Sequence, residues 1–182
     1  MQRVAQKSRF YRKIHKWIAV PLMIFMFIMG VTGLLLAWKA QLQFKPPSAK
    51  IEKQQQAYIS LNHIEEIAKS YSKDSLQLPV AINRIDFRPG KGIAKIRFED
   101  HFTELQIDCY SGEIVSVKQR TADIIEMIHD GSILDFIFKT NNDESKLTYS
   151  TLTSLGLIIL SFSGFYLWFL PKKIKKIKSK SH

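Results

Sequence analysis

RKIHKWIAVPLMIFMFIMGVTGLLLAWK, residues 12–39, decides how the rest of the chain is read. Positions 17–38 run for 22 residues without a formal charge. As a helix, that run is about 33 Å long, enough to cross the hydrocarbon core of a bilayer. Trp17 and Trp38 stand at its two ends, where an amphipathic indole suits the membrane–water boundary. The stretch reads as a transmembrane helix, and every other segment is placed relative to it.

The formal charge of +11 is concentrated outside the polar middle of the chain. Residues 1–16 carry Arg3, Lys7, Arg9, Arg12, Lys13 and Lys16 with no acid, and residues 172–182 carry six lysines with no acid. Each basic tail abuts an apolar run, the second being 147–171. Membrane topology therefore explains the excess better than nucleic-acid binding, for which no basic-aromatic recognition stretch is present. The positive-inside rule puts both termini in the cytoplasm and the middle of the chain on the far side. For a bacterial source, the expected location is the inner (cytoplasmic) membrane with a periplasmic central domain. The apolar core is long for a signal peptide and Trp38-Lys39-Ala40 is a poor cleavage site, so the first span reads as an uncleaved anchor. Cys109 is the only cysteine, which excludes an intrachain disulfide. Its expected role is that of a buried apolar residue.

Small residues mark a packing stripe on each span: Gly30, Gly33 and Ala37 on the first, and Ser154, Gly156, Ser161 and Gly164 on the second. Pro21 falls in the opening turns of the first span, where it either kinks the helix or marks its start. Residues 39–57, with Pro46-Pro47 and a Gln run, read as a linker. An amphipathic helix follows, with Ser60 or Asn62 as its N-cap and Ile64, Ile67, Ala68 and Tyr71 at helical spacing. Alternation then places Asn83, Ile85 and Phe87 on one strand face, and Ala94, Ile96 and Phe98 on the inner face of the next. Lys95 and Arg97 point outward. A tight connection at Asp100-His101 sets Arg97 opposite Glu104 and Ile96 opposite Leu105. Leu105, Ile107 and Cys109 continue the inner face, and 113–118 forms a last short strand.

The fold class expected is a membrane α+β protein, two transmembrane helices flanking a small extracytoplasmic domain of one helix on an antiparallel sheet. Its order is basic tail 1–16, span 17–38, linker 39–57, polar domain 58–120, amphipathic interfacial helix 121–139, span 147–171 and basic tail 172–182. The interfacial helix is interrupted at Gly131 and turns Asp123, Glu126 and Asp130 toward water.

Five stretches carry a resemblance to the PepSY-associated transmembrane proteins. ISLNHIEEIAKSY (59–71) and IDCYSGEIVSV (107–117) resemble the capped helix and strand–turn–strand signature of a PepSY domain. RKIHKWIAVPL (12–22), IHDGSILDF (128–136) and SGFYLWFLPKK (163–173) resemble the associated membrane helices. The resemblance implies b-type haem, held through membrane-interface histidines, and a part in ferric-siderophore or other metal reduction. By position, His15 and His129 are the implied haem-iron ligands and cofactor-binding residues. This chain departs from the larger relatives in having one helix pair. A helix of about 33 Å separates the two histidines, so one iron cannot take both. Two haems in a homodimer, each held by one histidine from each copy, is the arrangement implied.

His63 and His101 read as ordinary surface residues of the polar domain. No nucleophile–base arrangement, zinc-protease motif, phosphate-cradling loop or nucleotide fingerprint is present, so no catalytic residue is assigned. The alternative reading is a membrane-anchored periplasmic binding or regulatory module without cofactor, such as a protease-restraining PepSY domain. A third is a structural subunit of a larger membrane complex.

Overall fold

The computed structural model describes residues 2–52, 57–140 and 143–179, so the Gln run (within 53–56) and the last three residues of the basic tail lie outside the described residues. The chain divides into two compact units: Met1–Gly33 with Ile128–His182, and Leu34–Met127.

The first unit is built on α1 (Gln2–Ala37) and α5 (Glu144–Ser179). The helix of α1 begins well before the apolar run and is continuous with the basic flank. The candidate spans within them are Ser8–Ala37 and Glu144–Leu170, of mean hydropathy 2.4 and 1.7. Large apolar side chains, Phe27 and Phe162 among them, stand almost fully exposed on both helices. In water that surface would be costly, whereas lipid solvates it without penalty.

The second unit holds α2 (Leu61–Tyr71) and an antiparallel sheet ordered β1-β2-β3-β4. The strands are β1 (Ile82–Arg88), β2 (Ile93–Phe98), β3 (Thr103–Asp108) and β4 (Ile114–Gln119). Ser60 caps α2, its hydroxyl accepting from the His63 N–H at 3.2 Å. Ile64 and Ala68 of α2 bury against Ala94, Ile96, Phe98, Leu105, Ile107 and Cys109. Burial pushes the Cys109 thiol up to about 11, which suits an inert core residue rather than a reactive one. Arg97 lies opposite Glu104 and Ile96 opposite Leu105, the register expected from matched charge and matched apolar faces.

Three expectations for this unit need correcting. A bulge between Ile82 and Arg84 resets the alternation of β1, so Ile82 takes the core place expected of Asn83, while Ile85 and Phe87 share a face as expected, Ile85 at the core and Phe87 at its exposed margin against Tyr58. Residues 39–57 do not form a free linker: Phe44–Ile51 packs along the sheet face opposite α2. Ala49 donates its N–H to Gln106 Oε1 at 2.7 Å, Gln106 Nε2 donates to the Pro47 carbonyl at 2.8 Å and Ile51 N–H reaches the Lys91 carbonyl at 2.9 Å. The third correction concerns the charges on that face, which are covered rather than solvated. Lys95 and Glu104 are almost wholly buried, 2.7 Å apart, with Arg120 closing on the other Glu104 oxygen. Asp123, expected to face water, instead takes a two-pronged contact from Arg120 at 2.5 and 2.8 Å.

His63 is exposed, as a surface residue should be. His101 is part-buried and structural: it stacks on Phe98 at 4.3 Å and donates from Nε2 to the Pro79 carbonyl at 3.1 Å.

Candidate histidine sites of the helix pair

Residues 121–139 form two helices, α3 (Thr121–Asp130) and α4 (Ser132–Phe138), with Gly131 at φ +83° between them. That left-handed angle is one that only glycine adopts cheaply, and it breaks the helix two residues after His129. Polar groups hold the break in place. Asp130 Oδ1 accepts from the Ser132 N–H and hydroxyl at 3.0 and 2.6 Å, and Lys146 Nζ lies 3.1 Å from the other oxygen. Burial works against ionisation of Asp130, but the Ser132 and Lys146 contacts together hold its carboxyl below the ordinary value. Asp130 is thus engaged with protein rather than turned to water.

Asp135, one turn into α4, caps the start of α5. Its carboxylate accepts from the Thr140 hydroxyl at 2.6 Å and from the Ser145 and Lys146 N–H groups at 2.9 Å each. The first turn of a helix has orphan N–H groups, and a carboxylate there satisfies them and suits the dipole. The Thr140 hydroxyl bond, then those N–H groups, bring the Asp135 carboxyl down to about 2. A folded value below the ordinary one near 3.9 means the contact stabilises fully above about pH 4 and is lost as pH falls toward about 2. The melting temperature of the protein in detergent is expected to exceed that of Asp135→Asn by a constant margin at neutral pH. Between about pH 4 and pH 2 the margin should close; a margin unchanged at pH 2 would refute the assignment.

The spans meet along a stripe in which Leu22 sits over Gly156, whose added Cβ would lie 3.1 Å from the leucine. Buried Thr32, Thr153, Ser163 and Leu170 continue the contact. Of the small residues singled out in the sequence, Gly156 and Gly164 face a neighbour across the pair, and Gly33 faces His129 of α3. Gly30, Ala37, Ser154 and Ser161 are exposed and take no part in this packing, because the contact face of each helix is rotated away from them.

Both candidate histidines are half-buried, His15 between the two spans and His129 of α3 against the other end of α1. His15, on α1, places Nδ1 2.7 Å from Ser163 Oγ of α5. His129, at the end of α3, places Nδ1 2.9 Å from Thr32 Oγ1 of α1. Thr32 is 17 residues beyond His15 on the same helix. The two levels are therefore about 26 Å apart along it, too far to share an iron. Tyr11, one turn before His15, meets Tyr166 with the rings tilted at 40° and 4.3 Å apart.

Neither Nε2 has a hydrogen-bond partner among the described residues, and the described residues include no group of three His, Cys, Asp or Glu able to hold a metal ion. A bare ion thus finds no donor set there. Haem brings four ring nitrogens of its own and asks the protein only for axial ligands, which a free imidazole Nε2 can provide. The residues fit one ligand per level per chain. Thr32 and Ser163 were not singled out in the sequence. The available signal was that each precedes a glycine already marked for packing, in Thr32-Gly33 and Ser163-Gly164.

Two apolar helices long enough to cross a membrane, joined to a helix-on-sheet polar domain, define a membrane-anchored α+β protein. The family model described as the PepSY-associated TM region matches residues 12–181, and the chain belongs to that family. No curated protein matches the chain significantly.

Proposed function

We propose that the protein is a b-type haem electron-transfer or accessory protein of the bacterial inner membrane, acting as a homodimer in ferric-siderophore or other metal reduction. The observation that carries this reading is the pair of interface histidines, one per level, each gripped at Nδ1 and unpartnered at Nε2. Each chain would offer one ligand per level, and a second copy would supply the other. A four-helix bundle made from two helix pairs would bring like histidines together at two levels. With the basic ends in the cytoplasm, His15 lies at the inner level and His129 at the outer one. When bound, haem supplies a one-electron iron couple; the protein positions and shields it between the helices.

The test is the absorption spectrum of detergent-purified protein from haem-replete cells. A Soret band is expected, with reduced haem content in His15→Ala and in His129→Ala and none in the double variant. Folded protein without the band, or a double variant that keeps it, would overturn the proposal.

The second reading, a membrane-anchored periplasmic binding or regulatory module without cofactor, draws on a cleft of about 550 Å³ in the polar domain. Lys50, Glu52, Tyr58, Pro89 and Tyr110 line it, and the two tyrosine rings lie 4.8 Å apart. A colourless folded protein whose polar domain crosslinks one specific envelope protein, with loss on Tyr110→Ala, would favour that reading.

A further inference from the structure

Thr32-Gly33 and Ser163-Gly164 meet their histidines in the same way. In each pair the hydroxyl takes Nδ1, while the glycine lies against the adjacent ring carbon. A Cβ built on Gly33 would be 3.4 Å from His129 Cε1, and one on Gly164 would be 3.5 Å from His15 Cε1. We infer that these two dipeptides are copies of one positioning device, which holds an imidazole with its proton on Nδ1 and leaves the Nε2 lone pair free for a ligand.

The assignment follows from counting protons, since a hydroxyl has one to give and two lone pairs to accept with. Thr32 Oγ1 donates to the Ile28 carbonyl at 2.7 Å, one turn back on its own helix. It can therefore only accept from His129, and the proton lies on Nδ1 of that ring. Ser163 Oγ lies 3.2 Å from the Leu160 carbonyl, also on its own helix. Donation to that carbonyl lets the oxygen accept from His15 Nδ1–H, so all three groups are satisfied. The reverse direction would put the His15 proton on Nε2 and give up the bond from Ser163 to the Leu160 carbonyl. Ligating histidines ordinarily show this division of labour, with one nitrogen held by an outer partner and the other bound to the metal. The flat glycine surface completes the device by letting the ring edge lie close to the opposing backbone.

The purpose of the device rests on the haem reading proposed above; the proton assignment does not, and the two can fail separately. The experiment is nitrogen NMR on full-length, haem-free protein with labelled histidine, in detergent at alkaline pH where imidazole is neutral. His15 and His129 are expected to carry the Nδ1 proton. Ser163→Ala should shift only the His15 signals toward the other tautomer and Thr32→Val only those of His129, while Ser163→Thr and Thr32→Ser restore them. In haem-loaded protein, Ser163→Ala and Thr32→Val should each weaken haem retention by about 10–100-fold. An Nε2 proton on either ring of the unmodified protein, or spectra unmoved by both hydroxyl deletions, would overturn the inference. The expected NMR result in a protein that takes up no haem would instead overturn the proposed function and leave the device standing.

Discussion

Glu104→Ala is expected to destabilise the polar domain by about 3–5 kcal/mol, the range for removing one partner of a buried ion pair. Glu104 is fully buried and serves three neighbours at once. Oε1 accepts from Lys95 Nζ at 2.7 Å and Gln106 Nε2 at 2.9 Å, and Oε2 accepts from Arg120. Truncation leaves two cations in a space closed by Phe44–Ile51 and the start of α3. Lys95 can respond by losing its proton, because burial already lowers its value. Arg120 stays charged and keeps only its Asp123 partner among the described residues. Glu104→Gln keeps the shape and part of the hydrogen bonding, so it should cost less than the alanine variant. Hydrogen exchange at the β2 and β3 amides of the full-length protein in detergent reads the loss directly. A change below about 1 kcal/mol, the scale of an exposed pair, would show that the cluster is not the closed network described.

Gly131→Val is expected to be comparably damaging to the helix pair, at about 2–5 kcal/mol. Two independent costs add. The left-handed conformation penalises any side chain by about 1–2 kcal/mol, and a β-branched one most. The new Cβ would also lie 2.7–2.8 Å from Cγ, Cβ and Cδ1 of Tyr149. Those atoms are the root of a side chain whose ring is held edge-on against Phe25 at 5.6 Å, so they cannot give way as a flexible chain end would. Overpacking of this kind typically costs about 1–3 kcal/mol. Because Gly131 sets the helix break that follows His129, the variant should also disturb the His129–Thr32 contact while leaving His15–Ser163 intact. Thermal melting measures the first effect and the labelled-histidine spectrum the second. A variant within about 0.5 kcal/mol of the original would show that the turn is not constrained as described.

The spans and the β2–β3 register were legible in the sequence because each rests on a strong local pattern. An uncharged run long enough for a bilayer has few soluble explanations, and Arg97/Glu104 with Ile96/Leu105 fit only one hairpin alignment. The rest depended on contacts distant in sequence. Alternation marks Lys95 and Arg97 as facing away from α2, but nothing local reveals that Pro46 and Pro47 cover that face. Prolines lack an N–H yet keep their carbonyls, and those carbonyls are what Lys95 and Gln106 use. The bulge in β1 carries no glycine to announce it, so strict alternation put Asn83 where Ile82 belongs. At the histidine sites the imidazoles were visible as residue types in a family pattern. Their partners were not, since a threonine and a serine inside apolar helices normally bond back to their own turns. Here they do that and also receive the imidazole.

The backbone bond from Ala122 N–H to the Phe44 carbonyl, 2.9 Å long, has a consequence for the pairing of the spans themselves. By chain count, Trp38 and His129 are joined by a loop of about 90 residues. Once the domain has folded and Phe44 is stitched to Ala122, the path a span must close shortens to about 14 residues. Closure entropy grows with the logarithm of loop length, so the shortcut lowers the cost of bringing His129 back against α1 by about 1.6 kcal/mol. The polar domain therefore acts on the membrane helices before any ligand or partner is considered: by folding, it turns a long tether into a short one.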